Sequence, residues 1–487
     1  MGRKSSRPPS ERAASSDRVA PQSLADLQGR LESRETRLAE ELSMILDRLD
    51  RHEEALATLL PDETASRRRT RILREAAALE KRWPDPLDRP PLFGALIGVK
   101  DLFHTAGFPT RGGSALPADV FTGEESPGRP EDNRDEASVV SALREAGALI
   151  LGKTVTTEFA YFGPGPTKNP WNTDHTPGGS SSGSAAAIAA GFCHIALGTQ
   201  TIGSISRPAS FCGVTGYKPS YGRIAADGVI PFSADADHVG IIAADAWTLA
   251  RAASVAVTDW SADRSRTTRP TTNGKSRRVP KAGADLRHLL GTVLVPDDAY
   301  LAQADTAGLR GLDAAIERLI GLGVEIQRVS IFSDIENING AHNDMIARDF
   351  AEVHKGWYEE HHERYHPRSA QLIERGASVT DERREEARAG RFRVRERIER
   401  ALERHGADIW LAPATVGEAP RGIETTGDPA MNLPWTYAGL PTVSVPITGL
   451  PNGRGPMGLP LGIQIASRYG SDEQLLHRAA ALEAHLL

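Results

Sequence analysis

Apolar residues return at helical spacing near the start of the chain. Leu24, Leu27 and Leu31 make one stripe, and Leu38, Leu42, Ile45, Leu46 and Leu49 make another. This predicts amphipathic helices from Ser23 onwards. A further helix is predicted over Thr64 to Trp83, stopped by Pro84, because a residue before proline is pushed out of the helical region. At Pro91 the pattern changes. Pro91–Lys100 (PLFGALIGVK) is apolar up to its last residue and reads as a buried strand with a lysine at its end. Ala137–Ala146 follows a helical pattern and Ala148–Leu151 a buried-strand pattern. Ala185–Ala190 predicts a tightly packed helix, followed by a buried stretch, Phe192–Leu197. Residues 290–296 and 323–329 read as strands around a helix at 305–322. Residues 340–405 read as charged helices, Asp408–Pro413 as a strand, and the C-terminal end as a last helix. Strands alternating with helices in this way predict an α/β protein.

The polar stretches divide the chain. Residues 1–22 are rich in Arg, Ser and Pro and read as a disordered tail. Residues 23–90 make an N-terminal helical segment, and residues 91–487 a single main domain with a helical insertion on the substrate side at about 340–405. Residues 116–136 and 258–284 are polar and read as surface loops. Of the 487 residues, 39% are hydrophobic and 25% charged, a balance that suits a globular protein with a sizeable core. The formal charge of −6 argues against nucleic acid as a partner. No apolar run reaches the roughly 18 residues of a membrane span, and no apolar core follows the basic N-terminus as a secretory signal requires. A cytoplasmic location away from membranes is therefore expected. Cys193 and Cys212 read as free buried thiols. Gly2 and Ser6 match a myristoylation pattern that is too short to carry an argument.

The candidate chemistry concentrates between His175 and Ser220. Two clusters of glycines and hydroxyls, Gly178–Ser184 and Gly198–Ser204, flank the alanine-rich helix. A flexible linker would join polar segments, whereas these clusters abut stretches that must be buried. Glycine in such a place signals close backbone approach, and serines held there by packing are candidates for catalysis. Lys100 is unusual for a related reason, since a lysine at the end of a buried strand needs a partner.

The motifs in order are GGSS at Gly178–Ser181, a small-residue helix at Ser184–Gly191, G-T-x-T-x-G-S-I at Gly198–Ile205 and C-G-V-x-G-x-K-P at Cys212–Pro219. Upstream, G-V-K-D stands at Gly98–Asp101. Together they resemble the amidase signature family of serine hydrolases, over roughly residues 85–260 and 405–484. The resemblance implies one large α/β/α domain with a central mixed β-sheet, no cofactor and no catalytic metal. It also implies hydrolysis of a C–N bond in a small-molecule amide or carbamate (amide, anilide or urethane, with esters fitting the same chemistry) through an acyl-enzyme. Residue by residue, Ser204 takes the nucleophile position, Ser180 the bridging position behind a cis Gly179–Ser180 bond, and Lys100 the base. The backbone of Thr201, Ile202, Gly203 and Ser204 would hold the oxyanion, and Ser181 would support Lys100. Lys100 must then be neutral, which requires burial to lower a pKa ordinarily near ~10.4 by about three units. A homodimer is a family-level expectation.

Two departures from the common pattern stand out. Ile202 replaces a glycine found in many relatives, restricting the backbone and adding bulk beside the acyl site. Gln200 and Ser206 stand where many relatives carry an acid and an arginine, with Arg207 one residue later. Losing both charges together avoids a lone buried charge. The pattern is closer to stand-alone amidases than to the component of an amidotransferase complex that delivers ammonia from an amide, which remains an alternative.

Three shorter motifs compete. Gly147–Thr154 fits the P-loop letters, but ALIL within it reads as the strand itself, so its amides are committed to a sheet. Gly179–Gly183 fits GxSxG without the buried strand that a nucleophile elbow needs before it. His362–His366 fits HExxH, which would place two zinc ligands on one helical face. Its surroundings (EEHHERYHPR) are polar all round, and Pro367 follows at once. A zinc-dependent hydrolase using His362, Glu363 and His366 is the alternative from a different enzyme class.

Overall fold

The computed structural model describes residues 18–121, 136–261 and 286–487. The myristoylation pattern, residues 1–17 of the expected tail and most of the two polar loops lie outside the described residues. The end of that tail is held on the domain rather than free, because the Ala20 N–H donates to Ala189 O at 3.0 Å.

Among the described residues ten strands form one sheet. They are β1 (Leu96–Lys100), β2 (Leu149–Thr154), β3 (Ile195–Gln200), β4 (Thr215–Lys218), β5 (His238–Ala243), β6 (Thr292–Pro296), β7 (Glu325–Val329), β8 (Ala407–Pro413), β9 (Thr442–Pro446) and β10 (Gly462–Ala466). Their order is β2-β1-β3-β5-β4-β9-β10-β8-β6-β7. The sheet is mixed: β1 runs parallel to β2 and β3, and β6 to β7 and β8, while the pairings through β5, β4, β9 and β10 are antiparallel. Every residue of β1, β2, β3, β4, β5, β9 and β10 is buried. Successive side chains point to opposite faces, so both faces of this part are covered, which is the expected α/β/α layering. Among the described strands only β7, at the edge, has exposed residues.

The predicted elements formed with small shifts. The N-terminal stripes became helices Leu24–Glu32 and Leu38–Leu56. The next helix, Ala65–Arg82, is capped by Thr64, whose side chain accepts from the Arg67 N–H. Arg71 of this helix donates to Ile150 O on β2 at 2.8 Å, joining the helical segment to the sheet. The charged segment folds as three helices, Ile335–His361, Pro367–Ser378 and Asp381–Arg404. Cys193 and Cys212 are free and buried. Among the described residues no helix is long and apolar enough to cross a membrane.

Candidate active site

β1 and β3 are parallel neighbours with Val99 opposite Leu197, so Lys100 and Thr199 leave the sheet along the same edge. Lys100 is fully buried. Its Nζ donates to Ser180 Oγ and to Thr199 Oγ1, both at 2.8 Å. Burial holds its pKa well below the usual lysine value, against the opposing pull of the Asp237 charge.

Lys153 and Lys218 are buried as well, and their partners differ. Lys153 Nζ lies 3.0 Å from Asp101 Oδ1 and donates to Phe103 O and Thr110 Oγ1, an ion pair that ties the end of β1 to β2. Lys218 donates to the carbonyls of Pro219 and Leu440, and burial brings its pKa down to about 7. Lys100 is bonded instead to two hydroxyls, and one of them, on Ser180, faces a cleft.

Ser180 and Ser204 line this narrow cleft together with Thr201 and Ile202, the rings of Tyr161, Phe162 and Phe232, Arg207 and Pro429. The Gly179–Ser180 bond is cis. Ser181 does not support Lys100. Its Oγ donates to Thr199 O at 3.4 Å, and its N–H donates to Ser204 O at 3.3 Å. The reason is local. Ser181 immediately precedes the helix Ser182–Ala189, and its side chain lies so close to β3 that a Cβ on Gly198 would sit 2.8 Å from Ser181 Oγ. Thr199 fills the expected place beside Lys100.

The turn from Thr201 to Ser204 is held from several sides. Thr201 Oγ1 donates to Asp237 Oδ1 at 2.5 Å. Gly203 O accepts the Arg207 N–H at 2.9 Å. Gln200 Oε1 accepts the Ile205 and Ser206 N–H groups at 2.8 and 2.9 Å, so a neutral amide organises the backbone just after Ser204. Gly203 packs against Asn432, where a Cβ would lie 2.4 Å from Oδ1. Among the described residues none accepts a hydrogen bond from the amides of Ile202, Gly203 or Ser204.

Two features were not found from the sequence. Asp237 is half-buried and accepts the N–H groups of Phe232 and Ser233 at 2.7 and 3.0 Å as well as the Thr201 hydroxyl. Burial pushes its pKa up to about 6. Neighbouring Asp235 instead pairs with Arg388 and Arg391, and nothing in the letters ADAD says which acid turns inward. The second feature is the loop carrying Tyr161 and Phe162. Phe159 and Ala160 adopt left-handed φ angles of 48° and 61°, which costs about 1 kcal/mol each for such residues. Phe159 is held by rings of the charged helical segment, with centroids 4.4 Å away at His354 and 5.5 Å away at Tyr365. That segment therefore backs the cleft wall, and the Phe350 ring also packs against Phe232, tilted, with centroids 4.6 Å apart.

The family profile described as Amidase matches residues 45–476. This chain belongs to the amidase signature family. Among its relatives is a glutamyl-tRNA(Gln) amidotransferase component from Symbiobacterium thermophilum, 31% identical over 429 residues that cover 81% of this chain and 83% of that protein. A solved structure described as an amidase superposes with a TM-score of 0.77 at 28% identity, covering 96% of this chain and 100% of the other. The native peptide amidase from Stenotrophomonas maltophilia superposes with a TM-score of 0.73 at 26% identity, covering 96% and 97% of the two chains.

The competing motifs of this family member have structural roles. Leu149–Thr154 is β2, so the P-loop letters are a strand. Ser181 stands at a helix start and not on a strand-to-helix elbow. His362–Arg364 is a short 3-10 turn after the long helix ends at His361. His366 caps the next helix, its Nδ1 accepting the Arg368 N–H at 3.2 Å. The two histidines therefore do not share a helical face, and among the described residues no three His, Cys, Asp or Glu side chains are grouped to hold a metal.

Proposed function

We propose that this protein hydrolyses a C–N bond in a small amide or carbamate, with Ser204 as nucleophile, Ser180 as proton bridge and Lys100 as base. The observation that carries the reading is the environment of Lys100: a buried amine with a strongly lowered pKa, bonded to two hydroxyls and to no carboxylate among the described residues. A neutral amine so placed can take a proton, as an activated serine nucleophile requires.

In this mechanism Ser204 Oγ attacks the substrate carbonyl. Its proton passes to Ser180 Oγ, and the Ser180 proton passes to Lys100 Nζ. The carbonyl oxygen becomes an oxyanion, met by the free amides of the 202–204 turn. As the tetrahedral intermediate collapses, the C–N bond breaks and the proton returns through Ser180 to the departing nitrogen. Water then attacks the acyl-enzyme along the same path and releases the acid and Ser204. The aromatic walls and Ile202 leave a narrow entrance, which favours small or flat groups next to the scissile bond.

A second reading has support from sequence similarity, since glutamyl-tRNA(Gln) amidotransferase components are among the relatives. It predicts release of ammonia from glutamine. The test is hydrolysis of a small anilide, a small aryl carbamate and glutamine by the purified protein and by Ser204→Ala. Turnover of the anilide or carbamate by the wild type, and a loss of about 10⁴-fold or more in Ser204→Ala, is expected. Substantial hydrolysis by folded Ser204→Ala would sink the assignment, and glutamine turnover alone would favour the second reading.

A further inference from the structure

An oxyanion site built from backbone amides works only if those amides are aimed before the substrate arrives. A trans peptide unit is planar, and its C=O and the following N–H point to opposite sides. Whatever holds the carbonyl of one residue therefore aims the amide of the next. In the turn after β3 two such units matter. Gly203 O accepts the Arg207 N–H, which aims the Ser204 amide. That anchor is a main-chain bond and comes with the helix Ser206–Cys212. Ile202 O is held differently, by a side chain: Thr436 Oγ1 donates to it at 2.7 Å.

Thr436 is fully buried and lies on the short helix Leu433–Tyr437, far from Ile202 in sequence. The direction of its hydroxyl is set by its neighbours. Gln200 Oε1 is occupied by the Ile205 and Ser206 N–H groups, so the other end of that amide is the NH₂ group. Gln200 Nε2 donates to Thr436 Oγ1 at 2.9 Å. Thr436 is thus the acceptor toward Gln200, and its own proton goes to Ile202 O, with the Asn432 carbonyl the longer choice at 3.1 Å. The result is a one-way chain of buried hydrogen bonds that starts at the backbone after Ser204 and ends on the carbonyl before Gly203. Buried networks of this kind rigidify what they bond.

We propose that Thr436 is a positioning residue that aims the Gly203 amide at the developing oxyanion. The inference rests on the reading that the 202–204 turn receives that charge. Thr436 touches no substrate; it acts through the Ile202–Gly203 peptide. Its contribution belongs to the transition state, so it acts on kcat and leaves ground-state binding alone.

The experiment compares Thr436→Val, which keeps the shape and removes the hydroxyl, with Thr436→Ser, which restores it. Each is assayed on the small anilide or carbamate that the wild type turns over. Binding of a trifluoromethyl ketone, which forms a tetrahedral oxyanion, is set against binding of a non-hydrolysable ground-state analogue. Removing one oxyanion donor outright costs about 100- to 1000-fold, and a misaimed donor less. We expect kcat to fall about tenfold or more in Thr436→Val, with KM within about twofold. Affinity for the ketone falls in step with kcat/KM, affinity for the ground-state analogue holds, and Thr436→Ser recovers most of the rate. If Thr436→Val does not fold, Thr436→Ala carries the same comparison. A folded variant with unchanged kcat, or one that loses both kinds of affinity together, overturns the inference. Ser204→Ala separates the two layers: if it is dead while Thr436→Val is unimpaired, only this inference fails, and if it is active the underlying reading fails.

Discussion

Lys100, Lys153 and Lys218 show how burial alone underdetermines a lysine. All three lie inside the protein, yet one forms an ion pair, one is held by carbonyls and one ends on two hydroxyls. The sign of the shift at Lys100 leads to a pH prediction. A lowered pKa favours the neutral amine, and protonation as pH falls removes the base. The kcat/KM profile should therefore show an acid limb set by one group, at a pH well below the ordinary lysine value. Lys100→Arg, whose guanidinium stays charged, should lack an active plateau at any pH tested, with a loss of about 100- to 10,000-fold. A variant that keeps about a tenth of the wild-type rate at pH 8 would contradict the proton path. At this scale the resemblance singled out Lys100, Ser180 and Ser204; in the fold Lys100 bonds Ser180, and Ser180 shares a cleft with Ser204, each within a few residues of a buried strand or helix that holds it. The resemblance misplaced Ser181 and missed Thr199, Asp237 and Thr436, whose roles depend on which way a side chain turns in the folded protein.

At the scale of elements, the helix Ser182–Ala189 is the piece that carries Ser180 to Lys100. Every residue of it is buried, so its position is set by close packing. At Gly183 a Cβ would sit 2.3 Å from Thr58 O and 2.5 Å from Val155 N, both backbone atoms that cannot rotate away. Gly183→Ala should lower stability by about 2 kcal/mol or more and depress turnover with it, measured by chemical denaturation and by kcat of the folded fraction. Wild-type stability in that variant would show that the helix is not pinned as described. Helices and buried strands were legible from periodicity because they extend over many residues. The fate of HExxH was not to be had from five letters, since the break at His362 and the capping role of His366 come from Pro367 and from packing of His366 N–H on Glu158.

For the whole molecule, sheet order is the property the sequence left open. β9 lies beside β4 and β10 beside β8, pairings between residues far apart in the chain that no local pattern encodes. The last helix, Asp472–Leu486, closes the same circuit. Asp472 accepts from Tyr217 OH at 2.7 Å and from the Ser220 N–H and hydroxyl at 2.8 and 2.7 Å, tying this helix to β4 and the segment after it, which follow the helix Ser206–Cys212. The C-terminal third also supplies Asn432 against Gly203, Thr436 behind Ile202 and Thr426 and Gly427 around Arg207. The site is therefore a product of the assembled sheet, although the residues read first for chemistry lie within Lys100–Ser204.

The most direct measurement is covalent labelling by a phosphonyl fluoride, followed by peptide mapping, in the wild type and in Lys100→Ala, with turnover of the small anilide or carbamate recorded with and without a metal chelator. The account predicts one label, on Ser204, with loss of activity in proportion to labelling. It also predicts much slower labelling in Lys100→Ala and no effect of the chelator. Label on another residue with activity lost in step, or inactivation by the chelator with Ser204 unlabelled, would contradict it.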